Sequence, residues 1–245
     1  MAASFHKFIL NHNNRQIAAD ICTSRDSSRL PPRILCLHGG GPNTGRGRFD
    51  RLRIELSNRN VETCAFDFIG HGDSGGELRS TSLRDRTEQA ALLIEKRMAR
   101  PLVLLAASMG GYTAIKLLEG QPISGLILFA PAVYASEAYN IKFGPDFSTI
   151  IRQQGSWANS DAWQILSGFK GKVFIVAAEK DAVVPKEVIN KIYTSCLNAS
   201  YRELFTIKEG THKIFDYIYN DQRAMRIIVE KILRVTEARE ITGQF

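Results

Sequence analysis

The stretch Leu104-Leu105-Ala106-Ala107-Ser108-Met109-Gly110-Gly111 constrains this chain more than any other. Leu102 to Leu105 is an apolar run of the length of a short buried strand, and a helical pattern opens directly after it. One serine stands in the turn between them. At a very sharp strand-to-helix turn a serine is held in a strained backbone conformation that projects its hydroxyl clear of the sheet. Strand and helix then pass so closely that the positions two before and two after the serine must be small. The usual form is Gly-x-Ser-x-Gly; here the first glycine is Ala106, one methyl larger, and the second is Gly110. A plain helix N-cap serine would leave the same local trace, so the rest of the chain has to decide between the two.

Three further stretches do so. His38-Gly39-Gly40-Gly41 follows the apolar run Arg33 to Leu37. Asp181 stands just past the run Val173 to Ala178, in Glu179-Lys180-Asp181-Ala182-Val183-Val184-Pro185. His212 follows Glu203 to Ile207, in Glu209-Gly210-Thr211-His212-Lys213. The chain order is Ser, Asp, His. With these four motifs in this order, each after a strand, the sequence resembles the α/β-hydrolases over roughly residues 16 to 235. Within them it is similar to small serine esterases and to acylglycerol-lipase-like or serine-aminopeptidase-like members. The loop Asp67-Phe68-Ile69-Gly70-His71-Gly72-Asp73-Ser74 also resembles the family's pattern. The resemblance implies an α/β fold: a mostly parallel central sheet flanked by helices, with a short cap insertion.

The segments read accordingly. Strands are predicted at 5–10, 15–22, 33–37, 61–66, 102–105, 124–130, 171–178 and 202–207. Helices are predicted at about 49–59, 83–98, 109–119, 186–197 and 215–236. Ser24 to Pro32 reads as a polar loop and Glu237 to Phe245 as a loose tail. Between about 132 and 170 no strand pattern is visible, and both tryptophans, Trp157 and Trp163, fall there with Tyr134, Tyr139, Phe143 and Phe147. A connection this long in a compact domain is usually functional, so the segment reads as a cap above the strand ends. The alternative is a loop and helix that finish the core. Residues 1–245 then form one domain.

Composition narrows the partners. A 44% hydrophobic fraction in 245 residues supports a sizeable core. No run reaches the ~18 apolar residues that span a membrane, and the N-terminus lacks the apolar segment of a secretory signal; the expectation is a cytoplasmic protein. The formal charge of +7 raises nucleic acid as a partner. The basic residues are mostly dispersed, however, and the dense stretch Arg46, Arg48, Arg51, Arg53 and Arg59 is interrupted by acids and lacks stacking aromatics. It reads as a solvated helix face, with no nucleic acid expected. Cys22, Cys36, Cys64 and Cys196 show no metal-binding spacing and read as small buried hydrophobes. No metal or cofactor is implied.

The chemistry follows from the residue types. A serine hydroxyl is a weak nucleophile without a base in reach. His212 is the predicted base for Ser108, and Asp181 the carboxylate that fixes its tautomer. Glu179 is the rival acid, held back at the strand end. His71 precedes the serine and reads as structural. The Met109 N–H, at a helix start, is one oxyanion donor. By resemblance Gly40 supplies the second, with Gly41 as the alternative. The expected substrate is a small-molecule carboxylic ester with a short, medium or aromatic acyl group. Three other readings stand beside it. A serine aminopeptidase would need an acidic clamp, for which Glu137, Asp146 and Asp161 are candidates. An acyltransferase would use the same acyl-enzyme. A non-catalytic binding protein on this fold predicts a damaged triad.

Overall fold

The computed structural model describes residues 3–24, 31–41 and 43–237. Most of the polar loop 24–32 and the tail beyond Glu237 lie outside the described residues. Eight strands form one sheet: β1 (Ser4–His12), β2 (Arg15–Thr23), β3 (Ile34–Leu37), β4 (Thr63–Phe66), β5 (Leu102–Ala107), β6 (Ile123–Phe129), β7 (Lys172–Ala178) and β8 (Tyr201–Ile207). Their spatial order is β1-β2-β4-β3-β5-β6-β7-β8. The first two pairings, β1 with β2 and β2 with β4, are antiparallel, and all the others are parallel. The opening hairpin turns at Asn13 and Asn14, whose φ angles of 48° and 60° suit asparagine's tolerance of the left-handed region.

The helices are α1 (Asp50–Ser57), α2 (Leu83–Arg97), α3 (Met109–Leu117), α4 (Pro145–Ile151), α5 (Ala162–Gly168), α6 (Lys186–Ser195), α7 (Ile214–Asn220) and α8 (Gln222–Thr236). They cover both faces of the sheet, and for that reason its central parallel strands β3 and β5 are apolar and buried throughout. Alternation sorts the strand side chains between two cores. Leu35, Leu37, Leu104, Ala106, Leu126 and Leu128 point to the α2, α3 and α6 side. Ile34, Cys36, Val103, Leu105, Ile127 and Phe129 point to the α1, α7 and α8 side. Each of the leucine, isoleucine, valine and phenylalanine side chains among them contributes on the order of 1.5–3 kcal/mol by leaving water, and the serine turn is anchored at this buried centre of the sheet.

Two readings change. The final helix is two helices. Asp221 breaks it, with an extended backbone and a carboxylate that accepts from the N–H groups of Arg223 and Ala224 at 2.8 and 3.0 Å, capping α8. The arginine stretch is not one solvated face. Arg53 is fully buried and Arg46 nearly so. Arg46 pairs with Asp20 at 2.7 Å, with Asp73 at 2.6 Å and with Asp67; Arg53 pairs with the other oxygen of Asp20 at 2.6 Å. This network ties α1 and the turn before it to β2 and to the 67–76 loop. Residues 132–170 also add to the core. Val133, Ala138, Phe143, Phe147, Ala162, Leu166 and Phe169 are buried in the same core as α2 and α3. The segment therefore completes that face through α4, α5 and two short 3-10 turns as well as lying near the strand ends. All four cysteines are buried and free. Among the described residues no helix is long and apolar enough to cross a membrane.

Candidate active site

Ser108 occupies the turn between β5 and α3 with φ +50° and ψ −121°. That is a left-handed conformation for a residue with a side chain, and holding it costs on the order of 1–3 kcal/mol. The surroundings enforce it. The Ser108 N–H donates to the Phe129 carbonyl at 2.9 Å, and its carbonyl accepts from Gly111 and Ala132 at 2.8 and 3.0 Å. Gly110 lies against β3: a methyl group there would collide with the Leu37 carbonyl oxygen and come within 2.8 Å of the His38 carbonyl. Ala106, fully buried and in register with Leu37 and Leu128, fits at the other tight position.

The structure brings Ser108, Asp181 and His212 together at the C-terminal ends of β5, β7 and β8. His212 Nε2 lies 3.0 Å from Ser108 Oγ, and its Nδ1 lies 2.8 Å from Asp181 Oδ2. The other Asp181 oxygen accepts from the N–H groups of Val183 and Val184 at 2.8 and 2.9 Å. Burial alone would raise the Asp181 pKa. The hydrogen bonds from His212, Val184 and Val183 outweigh it and hold the carboxyl below its ordinary value. With Nδ1–H donating to that carboxylate, Nε2 is left free to accept from the serine. Glu179 turns elsewhere: its carboxylate accepts from the Glu209 N–H at 2.8 Å, where Glu209 sits at φ +58°. It braces the turn leading to the histidine loop.

The glycine loop wraps the serine. A methyl group on Gly39 would sit 3.3 Å from Ser108 Cβ, and one on Gly40 would meet the Met109 side chain at 2.5 Å. One on Gly41 would meet only Thr44, at 3.6 Å. Gly40 is thus the glycine pressed against Met109, whose N–H opens α3 and belongs to the first turn that a helix leaves unpaired. The loop is stitched down by His38. Its Nδ1–H donates to the Gly39 carbonyl at 2.8 Å, while Nε2 accepts from the Phe68 N–H at 3.0 Å. Burial, with Arg86 and His71 beside it, holds His38 well below the ordinary histidine pKa, so it is neutral.

Arg86 is a functional candidate that the sequence reading passed over. Its guanidinium is buried over the Phe68 ring at 3.7 Å and donates to the His38 and Gly39 carbonyls at 2.5 and 2.9 Å. No carboxylate pairs with it among the described residues, and burial pushes it down to about 9. The signal was available: Arg86 falls three residues after Leu83 and four before Ala90, on the inward stripe of α2. His71 is buried at the back of the same loop, edge-on to His38 at 4.9 Å. Among the described residues no hydrogen bond joins it to Ser108.

A cavity of about 350 Å³ opens over Ser108. Its wall includes the glycine loop, Phe129, Ala130, Val183, Phe215 and His212, together with Thr44, Arg48 and Lys213. Of the seven aromatics in the 132–170 segment only Tyr134 reaches it. Phe143 and Phe147 pack on each other, and Trp157 packs on Trp163. Of the proposed acidic clamp, Asp161 is engaged by the Tyr112 hydroxyl and Lys116 at 2.7 Å each, and neither Glu137 nor Asp146 lines the cavity.

A nucleophile elbow, a glycine loop and a histidine on the loop after the last strand, carried by a mostly parallel eight-stranded sheet, define an α/β-hydrolase. Residues 31–158, just over half of the chain, match the model of the serine aminopeptidase S33 family, and the chain belongs to that family. It is similar to the monoglyceride lipase of Mus musculus, with 32% identity over 110 residues; that stretch is 42% of this chain and 36% of the mouse protein. The fold is shared with a CIB-like hydrolase from Thermoplasma acidophilum, at TM-score 0.70 and 18% identity over 95% of this chain and 99% of that one. It is shared also with a monoacylglycerol lipase from Paleococcus ferrophilus, at TM-score 0.67 and 20% identity over 91% and 99%.

Proposed function

We propose that this protein hydrolyses small carboxylic esters through an acyl-enzyme on Ser108. The observation that carries the reading is the continuous chain Ser108 Oγ, His212, Asp181, with spacings of 3.0 and 2.8 Å. His212 takes the serine proton as Oγ attacks the ester carbonyl carbon. The N–H groups of Met109 and Gly40 receive the oxyanion, and His212 then passes its proton to the departing alcohol oxygen. Asp181 keeps Nδ1 protonated and stabilises the imidazolium. A water molecule, activated by the same base, releases the acid. The contact between Gly40 and Met109 supports Gly40 over Gly41 as the second donor.

Residues 1–245 act as one catalytic domain, with the 132–170 segment as a short cap. A cavity of about 350 Å³ supports short or medium acyl groups, or an aromatic one, over long lipid chains. Each added CH₂ contributes about 0.8 kcal/mol while room remains, so kcat/KM along a p-nitrophenyl ester series should climb and then turn down at roughly four to eight carbons. A rise continuing through C16 would contradict a cavity of this limited size. The decisive test of the chemistry is a fluorophosphonate probe. It should label Ser108 stoichiometrically, and labelling that persists in Ser108→Ala would overturn the assignment.

A further inference from the structure

The wall of the Ser108 cavity is electrostatically one-sided. It holds two full cations, Arg48 and Lys213, and no aspartate or glutamate among the described residues. Both cations are exposed, and neither forms an ion pair among the described residues. Their neighbours differ. Arg46 and Arg53 are committed to Asp20, and Arg51 lies over the Tyr219 ring at 4.9 Å. Within this basic stretch Arg48 alone lines the cavity. The segments bearing the two cations are also packed on each other. Phe49 meets Phe215 edge-on at 5.3 Å, and the Tyr219 hydroxyl donates to the Arg48 carbonyl at 2.6 Å. Arg48 and Lys213 therefore belong to one rim, not to two unrelated surfaces.

Position along the reaction gives the rim a role. His212 must hand its proton to the departing oxygen, so the alcohol part of an ester lies along the histidine loop. Lys213 is the next residue in that loop. We propose that the cavity selects esters whose alcohol part carries an anionic group, a carboxylate or a phosphate, held by Arg48 and Lys213. This rests on the ester-hydrolase reading above. Arg48 offers a planar fork that matches either oxyanion, and Lys213 a mobile point charge beside it. The cavity also offers no aspartate or glutamate to clamp the free N-terminal ammonium of a peptide substrate, among the described residues.

The test uses three butyrate esters of para-substituted phenols: one bearing a carboxylate, one bearing a phosphate, and the neutral methyl ester of the first. The reading is the ratio of kcat/KM for anionic over neutral ester. Intrinsic leaving-group reactivity cancels when that ratio is compared between variants. In Arg48→Met/Lys213→Met the ratio should fall by about three- to tenfold, the range for solvent-accessible charge pairs. It should return in Arg48→Lys/Lys213→Arg. In the unsubstituted enzyme it should shrink between about 0.02 and 0.5 M salt. The anion whose ratio falls further in the double methionine variant is the preferred group. An unchanged ratio in the double methionine variant, with Ser108 still fully labelled by fluorophosphonate, would overturn the inference while leaving the hydrolase intact. Failure of the unsubstituted enzyme to cleave any of the three esters would remove the ester-hydrolase reading and this inference with it.

Discussion

Two histidines flank the glycine loop, and their surroundings are opposite. His212 has a carboxylate 2.8 Å behind it and a hydroxyl 3.0 Å in front, and its edge opens to the cavity. His71 is buried beside His38, Phe68 and Arg86, and no carboxylate is hydrogen-bonded to its ring among the described residues. Burial and the Arg86 charge push its pKa below the ordinary value. An imidazole becomes a base when the structure stabilises its charged form, and a packing group when the structure penalises that form. The acidic partner, not the residue type, separates the two.

The largest effect should come from breaking the first environment. His212→Ala should lower ester turnover by about 10⁴-fold or more and abolish fluorophosphonate labelling. His71→Gln should retain labelling at normal stoichiometry. If their effects were exchanged in well-folded proteins, the comparison would be inverted. Next comes the acid. Asp181→Asn should cut kcat by on the order of 10³–10⁴ by leaving the wrong tautomer. Glu179→Gln should stay within about threefold, because the side-chain carbonyl still accepts from Glu209. A larger loss at Glu179 would move the acid.

A smaller effect is expected at Arg86, which touches the glycine loop but not the cavity. Arg86→Met fills most of the space and leaves the His38 and Gly39 carbonyls without that donor. We expect kcat to fall about tenfold with KM little changed. An equal rise in KM would point to the cavity wall instead of the oxyanion loop.

The smallest effect separates the histidines by pH. His38 and His71 have depressed pKa values when folded, so between those values and about 6.5 the unfolded chain binds more protons. Stability then rises with pH across that window and falls on acidification through it. The urea midpoint should therefore drop between about pH 7.5 and 5.5, and His71→Gln should reduce that drop. A drop of unchanged size would mean that His71 is not held neutral by the fold. Asp181 acts in the same direction, but in a lower pH window. Its depressed carboxyl stays charged until well into the acid range, so its contribution to stability is lost only at lower pH.

The α/β class, the strand sequence and the identities of Ser108, Asp181 and His212 as candidates were legible in the chain. Each rests on local physics: apolar runs that a doubly covered sheet demands, small residues that a tight turn demands, and one polar residue placed after each run. The sequence even carried the reason Ala106 and Gly110 are small, since the elbow cannot close around bulk. Other features were decided only by contacts between distant segments. Arg46 and Arg53 look like surface arginines until Asp20, on a strand 26 and 33 residues earlier, is brought beside them. The split at Asp221 follows from one carboxylate turning back onto its own backbone, a competition with helix propensity that the apolar stripe conceals. The aromatics of the 132–170 segment suggested a pocket wall, yet all but Tyr134 pack away from it. Burial depends on which neighbour reaches a side chain first, and periodicity does not record that. The unpaired rim of Arg48 and Lys213 arises in the same way: the residues are 165 positions apart, and only the packing of Phe49 on Phe215 makes them one surface.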